Sequence, residues 1–243
     1  MRPLRKFYQK GVFILSVNWL KTLYFNFKMF PLNQAIKLPV YFYGSVKFKN
    51  LTGKIMINAP LKKGMIGFGQ VYEIMSRSKG IAELSIEGTL TFYGHAQFGK
   101  DYFVFVGTNA SIKMGNMASL GNSGKIICYE NIELGNFARI GFESQISDTT
   151  AHQMMNTLTG EKYPMTKPIL IGNFNYISNR VTVLAGTKTP DYCSIASNSL
   201  CTKDYTSLGQ NVLIGGIPAE LLKTNICRDW EGEMGKLIKW LQI

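Results

Sequence analysis

The sequence predicts an all-β solenoid, a three-sided coil that climbs in six-residue steps, with helical segments at the two ends of the chain. Three observations predict it. Between residues 169 and 201 an interior-type residue recurs at Ile171, Ile177, Val183, Thr189, Ile195 and Cys201, six apart throughout, with a partner two before each at Ile169, Asn175, Val181, Thr187, Cys193 and Ser199. The same beat runs earlier through Ile132/Leu134, Ala138/Ile140 and Ser144/Ile146. Apolar–Gly pairs punctuate the middle of the chain at Phe98-Gly99, Val106-Gly107, Met114-Gly115, Leu120-Gly121, Leu134-Gly135 and Ile140-Gly141.

Six residues fit one short strand and one turn, and three such units make a triangular coil of about 18 residues. Gly, Asn and Ser at the turns are expected to supply the backbone freedom that corners need. A β-sandwich would instead place turn signals roughly every 8–12 residues. The beat stops at Ile146, and a polar stretch over 148–167 interrupts it before it resumes at Ile169.

The remaining elements follow in chain order. Residues 1–30 mix basic residues with Phe7, Tyr8, Phe13, Trp19, Tyr24, Phe25, Phe27 and Phe30, and Pro31 ends any helix there. Such a helix packs on the body with its Lys tips in water, or lies in a membrane interface. Residues 38–70 read as short strands with Gly44, Gly53 and Gly64 in the turns. The expected divisions are a basic N-terminal helix and irregular β cap over 1–80, the coil over 81–215 with its insertion at 148–167, and an exit segment with a helix over 216–243. Trp230, Met234, Leu237, Ile238 and Leu241 have helical spacing and should pack that last helix on the body.

Composition bounds the function classes. Of 243 residues, 46% are apolar and 17% charged, enough for a sizeable core and against disorder. Cys128, Cys193, Cys201 and Cys227 form no CxxC, and with two histidines in the chain a zinc finger or ribbon is excluded. A reduced, cytoplasmic compartment is the simpler reading. The apolar run Gly11–Leu20, bracketed by Lys10 and Lys21, is too short to span a bilayer. Twelve Lys and Arg precede the first acid, Glu73, whereas basic and acidic residues balance after it, so the net +12 belongs to the N-terminal third. Such a surface suits anionic lipid or a phosphorylated acceptor; no RNA or DNA motif accompanies it.

Three segments carry a family resemblance. The run IGNFNYISNRVTVLAGTKTPDYCSIASNSLCTKD (Ile171 to Asp204), the closing GGIPAELLKT (Gly215 to Thr224) and the upstream SDTTAHQ (Ser147 to Gln153) together resemble the hexapeptide-repeat acyltransferases, in the branch that O-acetylates sugars and serine. The resemblance covers roughly residues 130 to 226. It departs from the family at Tyr176-Ile177-Ser178, where Trp-Ile-Gly is usual, at Thr150, where a second acid is common, and at Thr189-Pro190.

The resemblance implies a left-handed parallel β-helix and an acetyl-CoA-dependent O-acetyltransferase acting on a sugar hydroxyl, in cell-surface polysaccharide or lipopolysaccharide assembly. It implies a homotrimer with its site at the subunit seam and no metal in catalysis. Acetyl-CoA would lie along Ser178, Gly186, Ala196 and Ser197, with Thr202 and Lys203 at its phosphate end and Pro218 near its adenine. Acetyl transfer needs a base, and at neutral pH an imidazole matches that task. His95 lies inside the regular repeat with no acid close in sequence, whereas His152 lies where the repeat breaks into a loop. His152 is therefore the expected base, and Asp148, four before it, the expected group that orients its ring. Cys193 and Cys201 fall at inward positions, where a thiol behaves as a small hydrophobe. An amino-sugar N-acyltransferase, a serine O-acetyltransferase and a non-catalytic scaffold are the rival readings; a β-helix carbonic anhydrase would need three histidines on zinc.

Overall fold

Residues 15–70 and 80–241 are described in the computed structural model, with backbone alone for 239–241. All twelve positions of the two repeat rows between 169 and 201 are buried. They are buried because each short strand turns one side chain inward and the next outward, and because stacked coils close a continuous column around the inward set. The chain visits three faces in turn. The first carries nine strands, from Val40–Phe42 to Glu220–Thr224; the second seven, from Val46–Leu51 to Leu200–Cys201; the third five, from Lys54–Ile57 to Ile169–Ile171. Bridges Leu170↔Lys188 and Lys188↔Asp204 continue the third face upward. Neighbouring coils pair in parallel, and the last strand pair, Val212–Gly215 with Glu220–Thr224, is antiparallel and forms the exit. The arrangement is a parallel β-helix.

The coil begins at residue 40, well before the expected residue 81. Val40 pairs with Ile66, Ile66 with Ala96, Ala96 with Ala118, Ser119 with Arg139, and Tyr176 with Ser194, so the steps shrink from 26 and 30 residues to 22, 20 and 18. Only the last step is three clean sixes, the 18 residues of a regular coil. The wide early coils are filled by aromatics: Phe42, Phe68 and Phe98 stack with centroids 5.1 and 4.2 Å apart, and Tyr102 sits beside them. The narrow late coils are filled by Ile177, Val183, Cys193, Ile195 and Cys201. Side-chain volume and coil length thus match, which is why residues 38–70 hide the six-residue beat.

Gly44, Gly64 and Gly186 supply left-handed turn backbone as expected, but other glycines of the coil do a different job. At Gly115 a Cβ would fall 2.4 Å from the carbonyl carbon of Gly135, and at Gly121 one would fall 2.5 Å from that of Gly141, so these positions let one coil approach the next. Left-handed corner backbone is instead held largely by other residues, among them Met117, Phe137, Phe174 and Tyr192. That conformation costs about 1–2 kcal/mol each. Stacking offsets it: Phe137–Phe174 and Phe174–Tyr192 lie 5.0 and 4.9 Å apart, and Trp230 meets the ladder edge-on. Asn side chains also stitch this corner, Asn136 Oδ1 accepting from the Asn116 N–H and Asn173 Oδ1 from the Asn136 N–H.

Both ends are covered. Helix α1 (Trp19–Met29) buries Thr22, Phe25 and Asn26. Asn26 Nδ2 donates to the Val40 carbonyl, and Thr22 Oγ1 accepts from the Phe42 N–H. These bonds occupy the edge of the first strand, which would otherwise be open to pairing with another chain. The helix stops before Pro31, as its sequence requires. A short α2 (Leu32–Ala35) follows, and α3 (Trp230–Leu241) packs through Trp230 and Leu237 on Met117. The expected aromatics Phe7, Tyr8 and Phe13 lie outside the described residues.

Candidate active site

The polar stretch 148–167 leaves the second face after Gln145–Ser147 and returns on the third at Ile169–Ile171, so it projects from the corner between them. Backbone bridges Thr149↔Thr166 and Met155↔Lys162 make it a narrow antiparallel excursion. Its tip turns at Asn156, whose Oδ1 accepts from the Leu158 N–H at 2.9 Å. Left-handed backbone at Ala151 reverses the chain just before His152, and the Thr150 hydroxyl donates to the His152 carbonyl. The imidazole of His152 stands exposed at the base of the excursion.

Asp148 does not meet it. Asp148 is fully buried, and its carboxylate accepts from the Tyr129 N–H (2.8 Å, Oδ1) and the Glu130 N–H (2.8 Å, Oδ2) on the preceding coil. The Cys128 thiol also donates to Oδ2. Burial, then the Asp148 charge, hold that thiol well above its ordinary range. The expectation that Asp148 orients His152 is therefore corrected: the carboxylate is a staple between coils, positioned by backbone donors that a buried corner must satisfy.

The expected donor residues divide between two corners. Directly above the excursion, on the corner between the second and third faces, come Gly186 and then Thr202 and Lys203. Gly186 has φ +83°, and its N–H donates to the carbonyl of Lys167, the residue where the excursion rejoins the coil. Lys203 Nζ pairs with Glu220 Oε1 at 2.8 Å on the exit hairpin and lies over the Tyr205 ring. Both partners are half-exposed or more, so the pair contributes little and a phosphate can compete for the ammonium. The other corner, between the first and second faces, stacks Gly141, Ser178 and Ala196, with the Ser178 and Ser197 hydroxyls 2.7 Å apart. Pro218 lies exposed in the exit turn above that stack, where Gly216 accepts from the Leu200 N–H.

The two groups are separated by the width of the second face. Three strand residues, Thr182–Leu184, lie between them, roughly 10 Å at 3.3 Å per residue. One corner carries a solvent-facing imidazole with a cation two coils above it; the other carries a pair of hydroxyls beside small residues. Such a pair of corners can take a proton at one side and seat a narrow chain at the other.

His95 is different in kind. It is half-buried, and its Nδ1 is buried without a hydrogen-bond partner. Burial first, and the Lys62 charge second, lower its pKa below the ordinary 6.5. The sign follows: above pH 6.5 both folded and unfolded chains hold it neutral, and as pH falls below that value the unfolded chain takes the proton first, so stability declines. His95→Gln should flatten the loss of thermal stability below pH 6.5. An unchanged slope would show that another group causes it.

Sequence reasoning missed a third feature. A cavity at the corner of the first and second faces is bordered by Ser119, Arg139, Tyr176 and Arg228. Arg139 stood out in the sequence only as a charge lodged between Ala138 and Ile140, two interior positions. Among the described residues no cluster of His, Cys, Asp or Glu is placed to hold a metal ion.

No protein-family model matches the chain, and no curated protein matches it in sequence. Solved structures do resemble it in fold. The polySia-specific acetyltransferase NeuO is 15% identical, with a TM-score of 0.52 over 76% of this chain and 82% of its own. A single-residue variant of AntD, an N-acyltransferase from Bacillus cereus, in complex with dTDP and coenzyme A, is 11% identical, with a TM-score of 0.50 over 87% of this chain and 97% of its own. At these identities the likeness establishes architecture: the chain is a left-handed parallel β-helix with the fold of these hexapeptide-repeat acyltransferases.

Proposed function

We propose that the protein is an acetyl-CoA-dependent acyltransferase that O-acetylates a sugar hydroxyl. The observation that carries this reading is the excursion over 148–167, which interrupts an otherwise continuous coil and stands His152 in solvent on the corner that also bears Gly186, Thr202 and Lys203. In the proposed reaction His152 accepts the acceptor's hydroxyl proton as its oxygen attacks the thioester carbonyl. A backbone N–H of a coil corner stabilises the oxyanion of the tetrahedral intermediate. Collapse breaks the C–S bond, and the departing thiolate takes the proton from the imidazolium, leaving CoA and the acetyl ester.

A second copy of the chain completes the site. The Ser178–Ser197 stack and His152 lie on opposite edges of one face, so a neighbour can set its hydroxyl corner against this chain's imidazole. The excursion also exposes Met154, Met155, Leu158, Tyr163 and Met165, with Leu158 94% exposed. That apolar set fits burial against a second copy, as in a closed ring of three.

A likeness to AntD, an N-acyltransferase, over 87% of this chain favours amine attack as the second reading. A panel of sugars and amino sugars with acetyl-CoA, read by thiol release and product mass, separates the two. Release with hydroxyl sugars supports O-transfer, release with amino sugars alone supports N-transfer, and release with neither removes both.

The N-terminal end is proposed to sit on an anionic membrane surface. Leu20, Leu23, Tyr24 and Phe27 are exposed on α1, flanked by Lys21 and Lys28, with exposed Leu32, Ile36 and Lys37 just beyond. Basic and apolar groups on one exposed helix face match anionic headgroups over acyl chains. The protein should co-sediment with phosphatidylglycerol vesicles at low salt, not with phosphatidylcholine vesicles, and L20E/F27E should release it. Binding that ignores lipid charge, salt and both substitutions would end this proposal.

A further inference from the structure

We propose that the third face binds a neutral oligosaccharide, several sugar units laid along the coil axis in one groove, and that this chain is the acceptor. The groove has a volume of about 590 Å³ and runs from Tyr93 past Lys113, Glu133 and Leu170 to Lys188 and Thr206. Five coil steps separate Tyr93 from Thr206, since Phe92 pairs with Met114, Met114 with Leu134, Leu134 with Ile171, Leu170 with Lys188, and Lys188 with Asp204. At 4.7–4.9 Å per step the length is roughly 24 Å, and because a linked pyranose advances a chain by about one such step, the groove takes about four or five units.

Its wall is polar, internally paired and electrically neutral. Lys113 Nζ meets Glu133 Oε1 at 2.6 Å, and Lys188 Nζ meets Asp204 Oδ2 at 3.3 Å. Asn131 Nδ2 also donates to Glu133 Oε1, which fixes that carboxylate from a second side. Both ammonium groups keep N–H donors beyond these bonds, and Glu133 keeps Oε2 as an acceptor. Sugar hydroxyls donate and accept at once, so a vicinal pair can span a carboxylate oxygen and an ammonium. An anion would instead meet Glu133 and Asp204 beside both lysines, and a wholly apolar partner would bury four charges without replacing their water.

Apolar surface alternates with those pairs. On successive coils the outward row reads Lys113, Glu133, Leu170, Lys188, and Tyr93 stands 42% exposed at the lower end. The C–H face of a pyranose packs on an aromatic ring or a leucine while its rim of hydroxyls turns to polar groups. The large apolar cluster offered to a second copy lies on the excursion, not here.

Position makes the bound chain the acceptor, and this clause rests on the function proposed above. Lys188 is two residues past Gly186, roughly 7 Å along the face. The Gly186 N–H bonds to Lys167, where the excursion carrying His152 rejoins the coil. The groove therefore opens onto the imidazole's corner from the third face, while Ser178 and Ser197 lie beyond the second. An acceptor held over several units is an assembled glycan, so acetylation would follow the glycosyl transfers that build it.

A printed array of neutral, acidic and amino-sugar glycans of one to eight units, probed with the full chain without acyl donor, tests this. Binding should come from a neutral series, rise at least tenfold between one unit and four, and level off by six. In calorimetric titration of the best binder, Tyr93→Ala should weaken binding about tenfold, and Lys188→Ala about twofold to tenfold, the worth of one hydrogen bond. A preference for acidic chains, equal binding of one unit and six, binding untouched by both substitutions, or no glycan bound at all overturns the proposal. So does a changed oligomeric state in either variant by light scattering, which would assign the groove to a second copy. Because no turnover is needed, a protein that binds neutral chains but acetylates no sugar disproves the proposed function alone. One that acetylates single sugars and long chains with equal kcat/KM disproves the groove as acceptor site alone.

Discussion

His152→Ala should lower kcat for acetyl transfer by about 10²–10⁴-fold, the usual contribution of a positioned general base. Acetyl-CoA affinity should stay within about threefold, because the proposed donor residues Ser178, Ala196 and Ser197 stand on the other corner of the face and the substitution leaves Gly186, Thr202 and Lys203 in place. The melting temperature should not move, since the ring is exposed and its removal opens no cavity. A rate within a factor of two of the parent would remove His152 from the reaction. Subunit mixing extends the test. Co-assembly of His152→Ala chains with chains carrying Ser197→Trp, which blocks the opposite corner, should restore part of the activity if each site draws on two chains. Mixtures as inactive as their components would place both halves of the site within one chain.

Asp148→Ala should have the largest effect on stability, about 2–4 kcal/mol, or roughly 5–15 °C in Tm for a chain of this size. The substitution leaves the Tyr129 and Glu130 N–H groups without their side-chain acceptor, while the Cys128 thiol keeps the Ser111 carbonyl. Asp148→Asn keeps one oxygen for one of the two N–H donors and turns an amide towards the other, so it should cost about half as much. The pair of variants separates a staple from a catalytic partner. A partner that orients the imidazole would leave Tm in place and lower kcat in Asp148→Asn. The bonds in the structure require the reverse: Tm falls in both variants, and kcat per folded molecule changes by less than about tenfold. Urea denaturation with far-UV circular dichroism, alongside the thiol-release assay, reads both quantities.

The hexapeptide beat was legible over 169–201 because an 18-residue coil leaves each interior position a single strand geometry, so aliphatic spacing and coil geometry coincide. It was not legible over 40–98. There the coils are longer, phenylalanines fill them, and the added corner residues break the period. The glycines were visible but read in one way only: Gly44 and Gly64 serve left-handed turns, Gly115 and Gly121 the close passage of another coil, and a sequence displays a glycine without saying which.

The candidate site divides in the same way. His152 drew notice because a broken repeat marks a loop, and the structure stands that ring in solvent on the excursion. Asp148 was misassigned because four residues of separation looked like contact, while the carboxylate had nearer backbone donors one coil below. The Ser119–Arg139–Arg228 cavity gave almost no sequence signal. Its members come from positions 119, 139 and 228 and meet only when two coils stack and the segment before the last helix folds over them.

By itself, then, the sequence determined the local period, and with it the strand, the turn and the inward side chain of each late coil. Those depend on neighbours two to six residues apart. Which side chains border the cavity beside the first face, which carboxylate ties two coils together, and which corner each candidate residue occupies were decided only by the tertiary structure. Partners on different coils lie some twenty to a hundred residues apart in the chain, and the coil spacing that joins them is set by packing.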